Sequence, residues 1–355
     1  MRTCTLFVVA AFALAAGVRA GADSGPAQTW QLNSRWTIGG TGGWDYLSLD
    51  AATHRLFVTR SDHVAVLNVD NGKVLGEVRP TDGVHGVALA PVLNRGYASN
   101  GHGDSVTVFD LSSLAILKTI PIKGHNPDAI LFDEPTQRVF TFNGRSNNAT
   151  VIDAKTEQPI ATIALTGKPE FAVSDGAGRI YINIEDRAEL TAIDARTAKV
   201  VATWRLTGCE EPSGLALDRM QQRLFSVCQN GRLVVTDAKS GQRVADVPIG
   251  KGPDAVAFDA PRHLVFSSNG EDGTLTVIHQ NDADHYTVVA NVPTQKSART
   301  LAIDPASQRV FLAAAEFEAA PASVAGSPRA RPAMKADSFV ILVVGPHAAA
   351  ATLAK

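Results

Sequence analysis

The apolar residues of this chain fall in short runs rather than helical stripes, and the runs recur. Seven segments share one pattern: DYLSLD at Asp45–Asp50, HGVALA at His85–Ala90, DAILFD at Asp128–Asp133, EFAVSD at Glu170–Asp175, SGLALD at Ser213–Asp218, DAVAFD at Asp254–Asp259 and RTLAID at Arg299–Asp304. Their last residues stand 40, 43, 42, 43, 41 and 45 apart. A repeat of about 40–45 residues is the length of one four-stranded propeller blade. The expected fold is all-β, a seven-bladed β-propeller with four-stranded antiparallel blades. No long helical periodicity competes with it.

Each unit divides into strands A to D. Strand A is the shared segment, and strand B opens on an Arg two residues ahead of an aromatic: Arg55/Phe57, Arg95/Tyr97, Arg138/Phe140, Arg179/Tyr181, Arg223/Phe225 and Arg309/Phe311, with Leu264/Phe266 in the sixth unit. Strand C ends at Asp70, Asp110, Asp153, Asp194 and Asp237, with His279 in the sixth. Strand D follows a turn, as in Gly72–Val78. The start of B lies beside the end of C, so the Arg and the Asp about fifteen residues on should be neighbours that fix register. In the sixth unit both charges are lost together, which supports a structural pair.

The seventh unit supplies A, B and C (Ser338–Gly345) and then the chain runs into an Ala-rich tail. Its missing D strand is available at Ser34–Gly40, so the N-terminal strand should close the last blade and bury the edges of an open array. The propeller is expected over 30–346, with a flexible insertion at 318–335 and a disordered tail at 347–355.

Composition adds mainly exclusions. The chain has 355 residues, 45% hydrophobic and 19% charged, with 33 Lys+Arg against 35 Asp+Glu. That excludes a disordered polyampholyte and offers no basic excess for nucleic acid, whose single-stranded form would also need stacking aromatics. Residues 1–20 carry Arg2, an apolar run from Leu6 to Ala16 and a small-residue end at Ala20, the pattern of a cleaved signal peptide. The run is too short for a membrane anchor. A periplasmic or secreted protein is expected, with no membrane span in the mature chain and a monomeric state. Two cysteines then remain, Cys209 before strand A of the fifth blade and Cys228 at the end of its strand B. Antiparallel neighbours bring those ends together, so a disulfide is expected.

At this point the chain resembles the YVTN-repeat, YncE-like β-propellers of the quinoprotein-dehydrogenase-like superfamily. The third blade carries the match: HNPD at His125–Asp128, RVFTFN at Arg138–Asn143 and NATVID at Asn148–Asp153, within a resemblance covering roughly 36 to 345. It implies an exported propeller, and says little about activity because one scaffold hosts many functions.

Starts of A and ends of B meet on one face, around the mouth of the central channel. The residues opening strand A form a ring of Asp45, His85, Asp128 and Glu170, continued by Ser213, Asp254 and Arg299; Asn143 and Asn269 at the ends of B are added. Four carboxylates in one ring either raise each other's pKa or recruit a cation. Three readings stay open: a merely solvated mouth, a site for a cationic ligand, peptide or periplasmic protein partner, and a divalent cation held by His85, Asp128, Glu170 and Asp254. The last would suit a metal-assisted hydrolase of the kind the similar lactonase propellers imply. No cofactor is named by the sequence. It holds no Cys-x-x-Cys-His, no phosphate-binding Gly loop, no Gly-x-Ser-x-Gly and no His-Glu-x-x-His motif.

Overall fold

A computed structural model of the chain describes residues 29–319 and 332–347. The expected signal peptide at 1–20, most of the insertion at 318–335 and most of the tail at 347–355 lie outside the described residues. Twenty-eight strands form seven four-stranded antiparallel sheets, each running A-B-C-D outward from the channel. Closure is as expected. Strand Trp30–Thr37 pairs with Val340–Pro346, so the N-terminal strand is the fourth member of the seventh blade.

The core is a ring of seven clusters, each between two adjacent blades and each holding one of the repeated strand B aromatics: Phe57, Tyr97, Phe140, Tyr181, Phe225, Phe266 and Phe311. Those aromatics are all buried. An aromatic at every junction gives the ring its large apolar contacts, and no blade has a private core. Where strands A crowd toward the axis, a side chain is excluded. A Cβ on Gly214 would stand 2.7 Å from the Asp254 carbonyl oxygen of the next blade.

The charged repeat is partly as expected and partly different. Arg95 faces Asp110, Arg138 faces Asp153, Arg179 faces Asp194, Arg223 faces Asp237, and Leu264 faces His279. In the first blade the expectation fails. Arg55 faces Asn68, and Asp70 turns instead to His54 and Arg309. The arginines also do something the pattern did not announce. In blades one, three, five and seven each donates to a carbonyl in the C–D turn of the next blade: Arg55 to Leu111, Arg138 to Ala195 (2.7 Å), Arg223 to Ala283 (3.0 Å) and, across the closure, Arg309 to Val69 (2.6 Å), while Arg95 of the second blade meets Glu157 of that turn at 3.7 Å. The C-strand aspartates accept bonds from the turn that follows, as Asp153 does from the Thr156 N–H (2.8 Å) and hydroxyl (3.1 Å). Those bonds pull its pKa down.

Cys209 and Cys228 form the expected disulfide, with Cα atoms 5.2 Å apart. No helix among the described residues is long and apolar enough to cross a membrane. The insertion in the last blade leaves and re-enters through a short ladder. Phe317 bridges Met334, and the Glu318 N–H donates to the Ala333 carbonyl at 2.8 Å.

Candidate functional site

In five blades the ring residue sits inside a register break of the A–B ladder. The breaks span Val84/Val87, Pro127/Ile130, Pro169/Ala172, Pro212/Leu215 and Pro253/Ala255, and they contain His85, Asp128, Glu170, Ser213 and Asp254. Bulges re-aim a side chain at the end of a ladder, here toward the channel mouth. Asp45 and Arg299 lie just ahead of their strands, which start at Leu47 and Thr300. The exposed carbonyls of these irregular starts are held by strand B side chains. Ser99 Oγ donates to the Asp128 carbonyl (2.5 Å), and Asn183 Nδ2 to that of Ser213 (3.0 Å).

The ring surrounds a cavity of about 1000 Å³. Apart from His102 and Glu271, the acidic and basic side chains lining it divide into three groups. His85 Nδ1 stands 2.7 Å from Asp45 Oδ2 and 3.7 Å from Asp128 Oδ1, joining blades one, two and three. Lys168 Nζ donates to Glu170 (2.6 Å) and also to Glu185, which a 3₁₀ turn at Glu185–Arg187 presents from the end of strand B. Arg299 Nη1 donates to Asp254 Oδ2 (3.0 Å), its Nη2 donates to the Trp44 carbonyl (3.1 Å), and the guanidinium carbon lies 5.8 Å from the Trp44 ring centre.

Electrostatics follow from burial and crowding. Burial raises the Asp128 carboxyl, Asp45 raises it further, and the opposing charges of His85 and Lys168 leave it at about 7. Burial and Asp128 push Glu170 well above the usual carboxylate range despite Lys168. Asp254 is raised to about 6, with burial outweighing Arg299. For His85, burial works against the charged ring, but the hydrogen bond to Asp45 and the charges of Asp128 and Asp45 prevail and its pKa is raised. Asp128 Oδ1 is a buried oxygen with no hydrogen-bond donor.

Six of the seven ring positions line the cavity, and Ser213 does not. Its hydroxyl turns away to donate to the Pro253 carbonyl at 3.2 Å. Asn143 and Asn269 are likewise corrected. Both are fully buried and bridge strands B and C, Asn143 to Asn148 and Thr150 and Asn269 to Thr274 and Thr276, which uses their amide donors inside the blade. The proposed cation set also changes, because Glu170 and Asp254 are engaged by Lys168 and Arg299 while Asp45 joins His85 and Asp128.

The pattern missed Lys168 and Tyr46. Lys168 stands two residues ahead of a ring position, in the D–A loop, where a loop reading could have found it. Tyr46 had no signal of its own. Its ring meets Phe171 of the fourth blade at 5.2 Å across the channel, and its phenol pKa is raised well above normal by burial and by Asp128. Tyr46 lines the cavity, and Phe171 backs it from the fourth blade. Trp44 and Phe317, 6.0 Å apart, form part of its wall, so the root of the insertion reaches the rim.

No family model matches the chain. No curated protein matches it either. Among solved structures it is similar to hydrazine synthase of Kuenenia stuttgartiensis, at 17% identity and TM-score 0.66 over 77% of this chain and 92% of that one. It is also similar to the WD40 repeats of RRP9 (10% identity, TM-score 0.72, 87% of this chain and 96% of that one). U3-55K gives 9% identity and TM-score 0.72, over 86% of this chain and 97% of that one. At these identities the likeness establishes the propeller fold.

Proposed function

We propose that the chain is an exported, YncE-like propeller that works as a binding module, taking a positively charged guest into its acidic cup. The observation that carries this reading is the buried Asp128 Oδ1, which has no hydrogen-bond donor, on a side chain that lines a cavity together with Asp45, Glu170, Glu185 and Asp254. An unmet buried acceptor costs about 1–3 kcal/mol, which a cationic or N–H-bearing guest would return. Lys168 and Arg299 hold Glu170 and Asp254 in place at 2.6 and 3.0 Å, which leaves Asp128 the ring carboxylate with the most distant cationic partner, His85 Nδ1 at 3.7 Å. Equilibrium titration with 1,4-diaminobutane, a divalent metal salt and succinate tests the reading. The cations should bind to wild type and weaken in Asp128→Asn, while succinate should not bind. Preferential binding of the dianion would overturn it.

A second reading, a metal-assisted hydrolase of the lactonase-like kind, is favoured by one observation: the Asp45, His85 and Asp128 donor atoms lie within 4.8 Å of one another.

A further inference from the structure

We infer that the guest of the acidic cup is a divalent transition-metal ion, such as zinc, manganese or cobalt, held by Asp45 Oδ2, His85 Nδ1 and Asp128 Oδ1. The inference rests on the acidic-cup reading and gives it a ligand class. The three donor atoms lie within 4.8 Å of one another, with Nδ1 2.7 Å from the first oxygen and 3.7 Å from the second. An ion bonded at about 2.0–2.2 Å to each of three donors separates them by roughly 3–3.5 Å, and the two edges from Nδ1, 2.7 and 3.7 Å, lie on either side of that range.

The donors come from three successive blades, and each is fixed by its backbone. His85 and Asp128 sit in ladder breaks. The Asp45 N–H donates to Thr59 Oγ1 at 3.2 Å. The His85 ring is pinned on its far edge, because a Cβ on Gly101 would lie 2.5 Å from Nε2. Nδ1 is the nitrogen turned toward Asp45 and Asp128. The independent sign of a missing ligand is Asp128, whose buried Oδ1 is aimed into this cluster and accepts no hydrogen bond. Mixed imidazole and carboxylate donors suit zinc, manganese or cobalt, whereas calcium takes six to eight oxygens. Three protein donors leave coordination positions open toward the cup, the arrangement of a site that also binds an exogenous ligand.

The test uses the full mature chain after dialysis against chelator. Zinc or manganese alone is titrated calorimetrically into wild type, Asp45→Asn, His85→Gln, Asp128→Asn and a control, His125→Gln, whose imidazole is exposed and paired with Asp104 outside the cup. The expected result is one equivalent bound, at least about tenfold more weakly in each of the three cup variants and equally in the control. Binding that ignores all three substitutions overturns the inference. An anomalous difference map from zinc-soaked wild-type crystals, which needs no variant to fold, must place the ion between the three side chains; an ion found only elsewhere also overturns it. A parallel titration with 1,4-diaminobutane separates the two levels of the claim. If the diamine binds and metal does not, the metal assignment falls and the acidic-cup reading stands, whereas if neither binds both fall.

Discussion

Tyr46 of the first blade and Phe171 of the fourth meet edge-to-face across the central channel, their ring centres 5.2 Å apart. Each follows a ring residue, Asp45 and Glu170, so the same strand starts supply both the charged wall and the aromatic contact across the channel. Replacing Tyr46 by Ala should remove that contact and destabilise the protein by about 2 kcal/mol, less than a fully buried aromatic would cost. Tyr46→Phe should stay near wild type in stability, because the phenol makes no hydrogen bond among the described residues. Denaturant unfolding of both variants measures the difference, and equal losses would contradict a packing role for the ring.

The cross-blade arginines should outweigh those confined to their own blade. Arg138 donates to two carbonyls of the next blade, Ala195 (2.7 Å) and Arg196 (2.6 Å). Arg179 has a longer pairing, with Asp194 of its own blade at 3.6 Å. Arg138→Ala is expected to cost about 1.5–3 kcal/mol, as for hydrogen bonds to a charged group. Arg179→Ala should cost at most about 1 kcal/mol, as for a surface pair. The comparison of midpoints in urea decides it.

Oxidation state and export can be read from one sample. Secreted protein should begin at Gly21 and lack free thiols, both visible by intact mass. Removing the Cys209–Cys228 bridge by a double Ser substitution should cost about 3 kcal/mol, the chain-entropy figure for a loop of this length. An unshifted unfolding midpoint would show that the bridge adds nothing.

Asp254 gives stability an unusual pH dependence. Its carboxyl is raised from 3.8 to about 6 in the folded chain. The folded state therefore binds more protons than the unfolded one between those values, and this contribution, full below the lower value, is lost as pH rises through the upper. The protein should be more stable near pH 5 than near pH 7 from this group, with a slope of at most about 1.4 kcal/mol per pH unit. Glu170 and Asp128 act in the same direction. Asp254→Asn should consequently reduce the slope without abolishing it. An identical slope in the variant would show that Asp254 titrates normally.

The fold was legible because its cause is periodic. Leu264 opposite His279, the closure by Trp30–Thr37 and the disulfide all follow from counting positions in a repeat. The site was legible only as far as it shares that period. Asp45, His85, Asp128, Glu170, Asp254 and Arg299 line the cup, but Ser213 at the equivalent place does not, because its short hydroxyl is satisfied by the neighbouring backbone. Asn143 and Asn269 show the converse. Their recurrence reflects a bridge inside the blade, since an amide at the end of B faces the hydroxyls of C. Lys168 and the Tyr46–Phe171 contact escape the pattern because they depend on loop shape and on which blades face each other across the axis.

The most direct test of the acidic cup is a crystal structure of the protein purified from its natural host without added metal or ligand. The account predicts density beside Asp128 Oδ1, in contact with Asp45 and His85 and bounded below by Tyr46. A cup holding only water there, in protein that also fails to bind any cation in titration, would contradict it.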